Sequence, residues 1–423
     1  MGLKNMLRTH REALLTNATE RAANSSMPRN QNRRRVAPTV IDLFAGAGGM
    51  ALGFELAGFK SVAALDNDET CAQCLKQNFP QTEVILTDIK RISGKDILSS
   101  INARNVDVIC GGPPCQGFSL IGLRDEKDPR SNLVFDFERI VREIRPKAFV
   151  MENVPGMLSA HGQRFLSTLV KRFNQAGYNI SLPIRILNAA HYGVPQDRRR
   201  LFIVGVRKDL NRQFSYPLPT HLSPRDLKRR NSSLELLQEL LPITATVRDA
   251  IGDLPDVDRY DYLVKSDETP YTRPPISMYA KIMRGELGRN EFAYITPESW
   301  RRDICTGCRR TIHGPILTKR IRATPPGETL PVSRLHRLRW DDVANTLRAG
   351  TPSDRGSYSS PRPIHPEKPR VITVREGARL QSFPDWHRFH VTKWHGFRQV
   401  GNAVPPLLAR AIALSVMRIL KSS

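Results

Sequence analysis

The chain has 423 residues, 40% of them hydrophobic and 25% charged, which is enough for a substantial core and roughly two to three domains. Its 65 Lys plus Arg against 41 Asp plus Glu leave a net charge of +24, which favours a polyanionic partner, nucleic acid before anionic membrane. No apolar run approaches the ~20 residues of a spanning helix, no secretory leader is visible, and six cysteines in a chain of this size argue against a disulfide framework, so a cytoplasmic protein is expected.

In chain order, residues 1–36 carry eight basic against two acidic side chains, with the run Arg33, Arg34, Arg35, and read as a basic N-terminal extension. From Val40 an α/β alternation begins: strands over TVIDLF, SVAAL and EVILT, helices over GGMALGFELAGF and ETCAQCLKQNF, then strands over VDVICGG and AFVMENV. Apolar strands alternating with helices imply parallel strands with right-handed crossovers, hence a doubly wound, mostly parallel sheet whose ligands gather at the carboxyl ends of the strands. After the strand RLFIVGVR the regularity lapses. Residues 207–339 carry 24 basic against 16 acidic residues and read as a separate basic module, with helices expected in LKRRNSSLELLQELL and TVRDAIGDLP. Patterning returns with VITVREGARLQSFPD and the closing helix PPLLARAIALSVMRIL.

The residues that carry chemistry fall at strand ends. Gly46, Gly48 and Ala51 match the G-x-G-x-x-G/A spacing, Asp66 follows Gly46 by twenty residues where a carboxylate can take ribose hydroxyls, and Asp88 offers an acceptor for an adenine amine. For either aspartate alone, a helix N-cap is the commoner explanation. In CGGPPCQGFSL, two prolines stiffen and glycines open a loop around Cys115, which suits a reactive thiol. Glu152 and Asn153 end the fifth strand, where a carboxyl can be buried enough to hold a proton. In QDRRRLFIVG, Arg198 and Arg200 share a face of an extended segment. Cys305, Cys308 and nearby His313 hint at zinc without a convincing fourth ligand, so no metal is expected, and Cys71 and Cys74 read as core-facing.

DLFAGAGG, GGPPCQGFS, MENVPGM, QDRRRLFIVG, REGARLQSFPD and RQVGNAVPP occur in the order of the signature motifs of the DNA (cytosine-5) methyltransferase family, and the resemblance covers roughly residues 38–420. It implies a Rossmann-like S-adenosylmethionine-dependent methyltransferase fold with a smaller, irregular target-recognition domain. The catalytic domain would span 37–206, the recognition domain 207–339, and 340–423 would return to the catalytic domain. Cys115 would add to carbon 6 of a flipped-out cytosine, Glu152 would hold the ring nitrogen and amino group, Arg200 would contact the base carbonyl, and Arg198 would support Cys115 and its loop. For S-adenosyl-L-methionine, Phe44 would cover adenine, Ala45, Gly46 and Gly48 the methionine portion, Asp66 the ribose and Asp88 the adenine, with Pro114, Asn402 and Ala403 completing the pocket. Asp66 stands where many relatives carry Glu, and Asn67 follows where an aromatic or aliphatic residue is usual.

The resemblance points to a prokaryotic enzyme of a restriction-modification or phage-defence system. It would act as a monomer on double-stranded DNA at the nucleoid, with a cognate restriction endonuclease or defence proteins as partners and no membrane. A transfer-RNA methyltransferase of the same family and a catalytically inactive DNA-binding relative are the alternatives; the long basic module argues against the first, and intact Cys115, Glu152 and Arg200 against the second.

Overall fold

A computed structural model describes residues 36–114, 132–228, 240–286, 296–331, 333–350 and 362–421. The N-terminal extension up to residue 35, Cys115 with its following loop, and the helix expected in LKRRNSSLELLQELL fall largely or wholly outside the described residues.

The α/β alternation is realised as β1 Thr39–Leu43, α1 Gly49–Leu56, β2 Lys60–Asp66, α2 Glu69–Asn78, β3 Glu83–Leu86, α3 Gly94–Ser100, β4 Val108–Gly111, α4 Asn132–Ile144, β5 Ala148–Asn153 and α5 Ala160–Gln175. Four further strands, β6 Tyr178–Ile180, β7 Arg185–Asn188, β8 Gln196–Asp197 and β9 Arg199–Arg207, follow. The main sheet runs β3-β2-β1-β4-β5-β9-β6, with β7 also paired to β9. Strands β1 to β5 are parallel, in the register Leu43↔Leu65, Leu43↔Gly111 and Gly111↔Met151, so their carboxyl ends share one edge. The parallel rule ends at β9, which lies antiparallel to β5 with Glu152 opposite Phe202. The near-continuous apolar runs of the central strands follow from burial on both faces. Val40, Ile41, Val108, Ile109, Phe149 and Val150 are all fully buried.

The middle of the chain contains short elements: α6 Pro224–Leu227, α7 Val247–Ile251, β10 Glu268–Pro270, α8 Met278–Met283, β11 Ile304–Thr306, α9 Pro315–Ala323 and β12 Ala344–Asn345. Helix α7 is the one expected in TVRDAIGDLP; Thr246 and Asp249 start it with a capping box. Val247, Ile251, Met283, Cys305 and Cys308 share a core with Leu75 of α2, with Phe79 just after it, and with Phe383 and Phe397 further on. A buried charge network reinforces that junction. Arg379, fully buried in α10 Val374–Leu380, donates from Nη2 to Asp385 at 2.7 Å and from Nη1 to Asp253 at 3.2 Å, while Arg284 reaches Asp253 at 2.8 Å. Removing one member would strand a charge without water, which is far costlier than losing an exposed pair.

The C-terminus closes the fold through α11 Lys393–Asn402 and α12 Pro406–Lys421. Leu408, Ile412, Ala413 and Val416 pack on Val40, Met50 and Phe54. The approach is close because residue 53 is glycine: a Cβ there would lie 2.4 Å from that of Ala409 and 2.7 Å from the Pro406 carbonyl oxygen. The stretch from 393 to 421 reaches span-like hydropathy, contrary to the expectation that no apolar run would. Its most apolar window is nevertheless 67% buried against the protein, as in the core helix of a globular fold.

Candidate active site

The turn leaving β1 is left-handed at three residues: Phe44 (φ +60°), Gly46 (φ +56°) and Gly48 (φ +79°). Glycine takes that conformation without a Cβ penalty, whereas Phe44 does so at a cost. The turn is held by Ala45 N–H donating to the Leu65 carbonyl at 3.0 Å and Gly48 N–H donating to the Ala45 carbonyl at 2.8 Å. Asp66, at the end of β2, ties it further, Oδ2 accepting from Gly46 N–H at 2.8 Å and Oδ1 from Asp68 N–H at 2.9 Å. Burial pushes the Asp66 carboxyl up, opposed by those backbone donors. A Cβ on Gly48 would strike the Phe79 ring at 2.4 Å, but one on Gly46 would meet nothing within 4 Å. Gly48 therefore serves packing, and Gly46 faces open space.

Asp88 is an N-cap, its Oδ1 accepting from Lys90 N–H at 3.0 Å at the start of the turn Ile89–Arg91. Asn402 is exposed at the end of α11 and Ala403 is buried beside it, its carbonyl accepting from Gln381 Nε2. A Cβ on Gly49 would lie 3.3 Å from that of Ala403, so this segment abuts the start of α1. The fold thus brings the Phe44–Gly48 turn, Asp66 and the Asn402–Ala403 segment to one edge of the sheet. These residues fit S-adenosylmethionine: there is room above Gly46, and Asp66, with backbone donors from Gly46, Asn67 and Asp68, still has acceptor capacity on its two oxygens for a hydroxyl.

The second half of the site centres on Glu152, whose Oε1 lies 2.8 Å from Arg200 Nε, both side chains being largely shielded from solvent. Gly112 sits directly against this pair; a Cβ there would stand 3.0 Å from Glu152 Oε2. Asn153, buried beside it, donates from Nδ2 to the Pro113 carbonyl at 3.1 Å, while its Oδ1 accepts from Val154 N–H at 2.8 Å. The end of β5 thereby grips the Pro113–Pro114 segment that leads into Cys115, itself outside the described residues.

Arg198 is 1% exposed and donates to the carbonyls of Leu347 and Gly401, each at 2.9 Å. Burial, aided by neighbouring Arg200, holds its guanidinium well below the ordinary arginine range, with Glu152 opposing. Arg198 and Arg200 both turn inward and Arg199 outward, but Arg198 anchors the C-terminal segments within the described residues.

Two contributors were not legible in the sequence. Asp42, buried in β1, accepts from Ala51 N–H at 3.0 Å and bonds the Cys110 thiol; desolvation pushes its carboxyl up to about 7 against those bonds. Arg225 bonds Asp342 at 3.1 Å, Asp197 at 3.1 Å, and the Val343 carbonyl and Asn345 side chain at 2.8 Å each. Its partners lie 28 and about 117–120 residues away, a spacing no local motif shows. Arg199, Arg200, Arg225, Arg334, Arg348 and Arg362 line a cleft of about 790 Å³, against the single carboxylate Asp197.

The remaining candidates are engaged elsewhere. Cys305 and Cys308 are buried with sulfurs 3.3 Å apart, while His313 Nε2 accepts the N–H of Val371 at 3.2 Å; no group of three metal-ligating side chains occurs among the described residues. Cys74 is buried, with its thiol pushed up to about 12 by desolvation.

The fold is that of the Rossmann-like, S-adenosylmethionine-dependent methyltransferases. The family model for C-5 cytosine-specific DNA methylases matches residues 38–418, and the chain belongs to that family. It is 44% identical over 389 residues to the type II methyltransferase M.XorII of Xanthomonas oryzae pv. oryzae, covering 91% of this chain and 85% of that protein. It is 33% identical to the type II methyltransferase M.AgeI of Thalassovita gelatinovora, covering 89% and 98%. Among solved structures, a prophage-encoded E. coli protein described as a DNA modification methyltransferase shares 32% identity with a TM-score of 0.72, over 91% of this chain and all of that one. The S. pombe Dnmt2 methyltransferase shares the fold at 17% identity and a TM-score of 0.54, over 91% of this chain and 99% of that one.

Proposed function

We propose that this chain methylates carbon 5 of a cytosine flipped out of a specific duplex sequence, as the modification enzyme of a type II restriction-modification system. The observation that carries the reading is the Glu152–Arg200 pair at 2.8 Å, at the end of β5 and beside the Gly112–Pro114 segment that leads into Cys115. Relatives named as type II methyltransferases support the restriction-modification context and hence a cognate endonuclease. By the same reading the enzyme works as a cytoplasmic monomer on DNA at the nucleoid, with 207–339 as the recognition region.

The chemistry follows from the residues. The Cys115 thiolate adds to carbon 6, forming an S–C bond and moving the ring's electron pair towards carbon 5. Glu152 hydrogen-bonds the ring nitrogen and exocyclic amine, and Arg200, already held by Glu152, meets the base carbonyl and stabilises developing charge. S-adenosylmethionine, when bound, supplies the electrophilic methyl group. Phe44, Ala45, Gly46, Gly48, Asp66, Asp88, Pro114, Asn402 and Ala403 would hold it, with Asp66 offering acceptor oxygens for the ribose hydroxyls. A base then removes the carbon 5 proton, the S–C bond breaks, and Cys115 is regenerated. Unstacking the cytosine costs a few kcal/mol, offset by phosphate contacts along the arginine-lined cleft.

The test is expression in a methylation-free host followed by sequencing for 5-methylcytosine. A fixed motif in DNA is expected; unmodified DNA beside methylated RNA would overturn the DNA reading. Duplexes with 5-fluorocytosine at the target should trap the enzyme covalently, since fluorine cannot leave as a cation, and recovery of only free enzyme would count against Cys115 addition.

A further inference from the structure

The cleft that Arg200 lines is also lined by a hairpin that carries Thr329, Leu330, Arg334 and His336. Thr329 and His336 form its antiparallel bridge, with Thr329 Oγ1 3.0 Å from His336 Nδ1. Leu330 N–H donates to the Leu335 carbonyl at 3.0 Å, and Arg334 N–H to the Leu330 carbonyl at 2.9 Å. The base is fixed by Arg337, a buried side chain that donates to the carbonyls of Thr324 at 2.8 Å, Glu367 at 2.9 Å, Pro366 at 3.1 Å and Ile321 at 3.2 Å. The base of the hairpin is therefore clamped to the end of α9 and to the turn around Pro366.

Arg334 occupies the hairpin's left-handed position, φ +51°. A long L side chain is disfavoured there, where Gly or Asn serves without penalty. The side chain is exposed, lines the cleft, and takes part in no hydrogen bond or ion pair among the described residues. Two of its neighbours are held within the protein, Arg200 by Glu152 and Arg225 by Asp342 and Asp197, whereas Arg334 alone of the cleft arginines combines exposure with a left-handed backbone. A strained arginine without a partner among the described residues, carried into a basic cleft on a hairpin clamped at its base, is suited to a partner that arrives with the substrate.

We propose that Arg334 is a specificity-determining residue that reads a guanine of the recognition sequence, its guanidinium fork donating to O6 and N7 in the major groove. The planar fork matches that edge bidentately, which the other bases do not offer. Phosphate contacts do not call for an arginine at a left-handed backbone position, because a flexible side chain on any cleft wall supplies a point charge. The proposal rests on the DNA-methylating reading above and deepens it.

The experiment compares the full-length wild type with Arg334→Asn and Arg334→Lys. Asn suits the left-handed backbone and removes the fork; Lys keeps the charge and loses the bidentate geometry. Each enzyme is assayed on a duplex library in which every position of the wild-type motif is varied in turn, at several salt concentrations. For Arg334→Asn, kcat/KM on the wild-type motif should fall about 10- to 100-fold, with discrimination collapsing at one guanine position and persisting at the others. Lys should not rescue it, and melting temperatures should match or exceed the wild type. A uniform loss over all sequences with a shallower salt dependence and rescue by Lys would overturn the proposal in favour of a phosphate contact. Unchanged preference at every position would also overturn it. A wild type that methylates no DNA would instead overturn the functional reading and, with it, this one.

Discussion

Replacing Asn153 by Ala tests whether the grip of β5 on the Pro113–Pro114 segment matters for chemistry. Asn153 is 3% exposed and its Nδ2 is 3.1 Å from the Pro113 carbonyl oxygen. Without it that carbonyl has lost its buried donor, which costs about 1–3 kcal/mol unless the segment shifts to find another. Such a shift moves the thiol at position 115, and a displacement on the order of 1 Å at a reacting group costs about 100-fold in rate. Single-turnover methyl transfer should therefore fall about 10- to 100-fold, with a smaller loss of S-adenosylhomocysteine binding, since of the groups assigned to the cofactor only Pro114 lies on the shifted segment. Asn153→Asp, which keeps the acceptor for Val154 N–H but cannot donate to Pro113, should be as slow. The reasoning is refuted if Asn153→Ala transfers methyl at the wild-type single-turnover rate and differs only in melting temperature.

Three other outcomes are expected. Asp42 holds a proton up to about pH 7 in the fold but only to about 3.8 when unfolded, so its contribution is full below pH 4 and is lost as pH rises to 7, an effect on the order of 4 kcal/mol. Asp42→Asn should thus gain stability relative to wild type over that window in denaturant titrations, and a pH-independent difference would refute the assignment. Arg198→Met should leave the Leu347 and Gly401 carbonyls without their donor, destabilising by roughly 2 kcal/mol net of the relieved burial of charge, and should hasten limited proteolysis in the 340–405 region; wild-type resistance there would contradict it. Gly112→Ala would crowd Glu152 Oε2 at 3.0 Å, and kcat should drop about tenfold with cofactor affinity retained, whereas equal losses in both would show that the loop itself had collapsed.

The sequence by itself determined the elements and the order of the motifs. Strand and helix are written in local periodicity, so β1 to β5, α1, α2, α7 and α12 fall where the apolar pattern places them. Because parallel strands carry their catalytic turns at one edge, the neighbourhood of Phe44, Asp66, Gly112 and Glu152 was legible as well. Long-range partners were not. The antiparallel β9 pairs with β5 across about fifty positions, and the Arg379–Asp253 pair, the bonds of Arg225 to Asp342, Val343 and Asn345, and the anchoring of Leu347 and Gly401 by Arg198 join residues more than a hundred positions apart. Such pairings leave no periodic trace, since each depends on which backbone carbonyl or carboxylate the folded chain delivers to a given guanidinium. The same holds for Arg334: an arginine among 65 basic residues in sequence, it became distinctive only when the fold gave it a left-handed backbone and a view of the cleft.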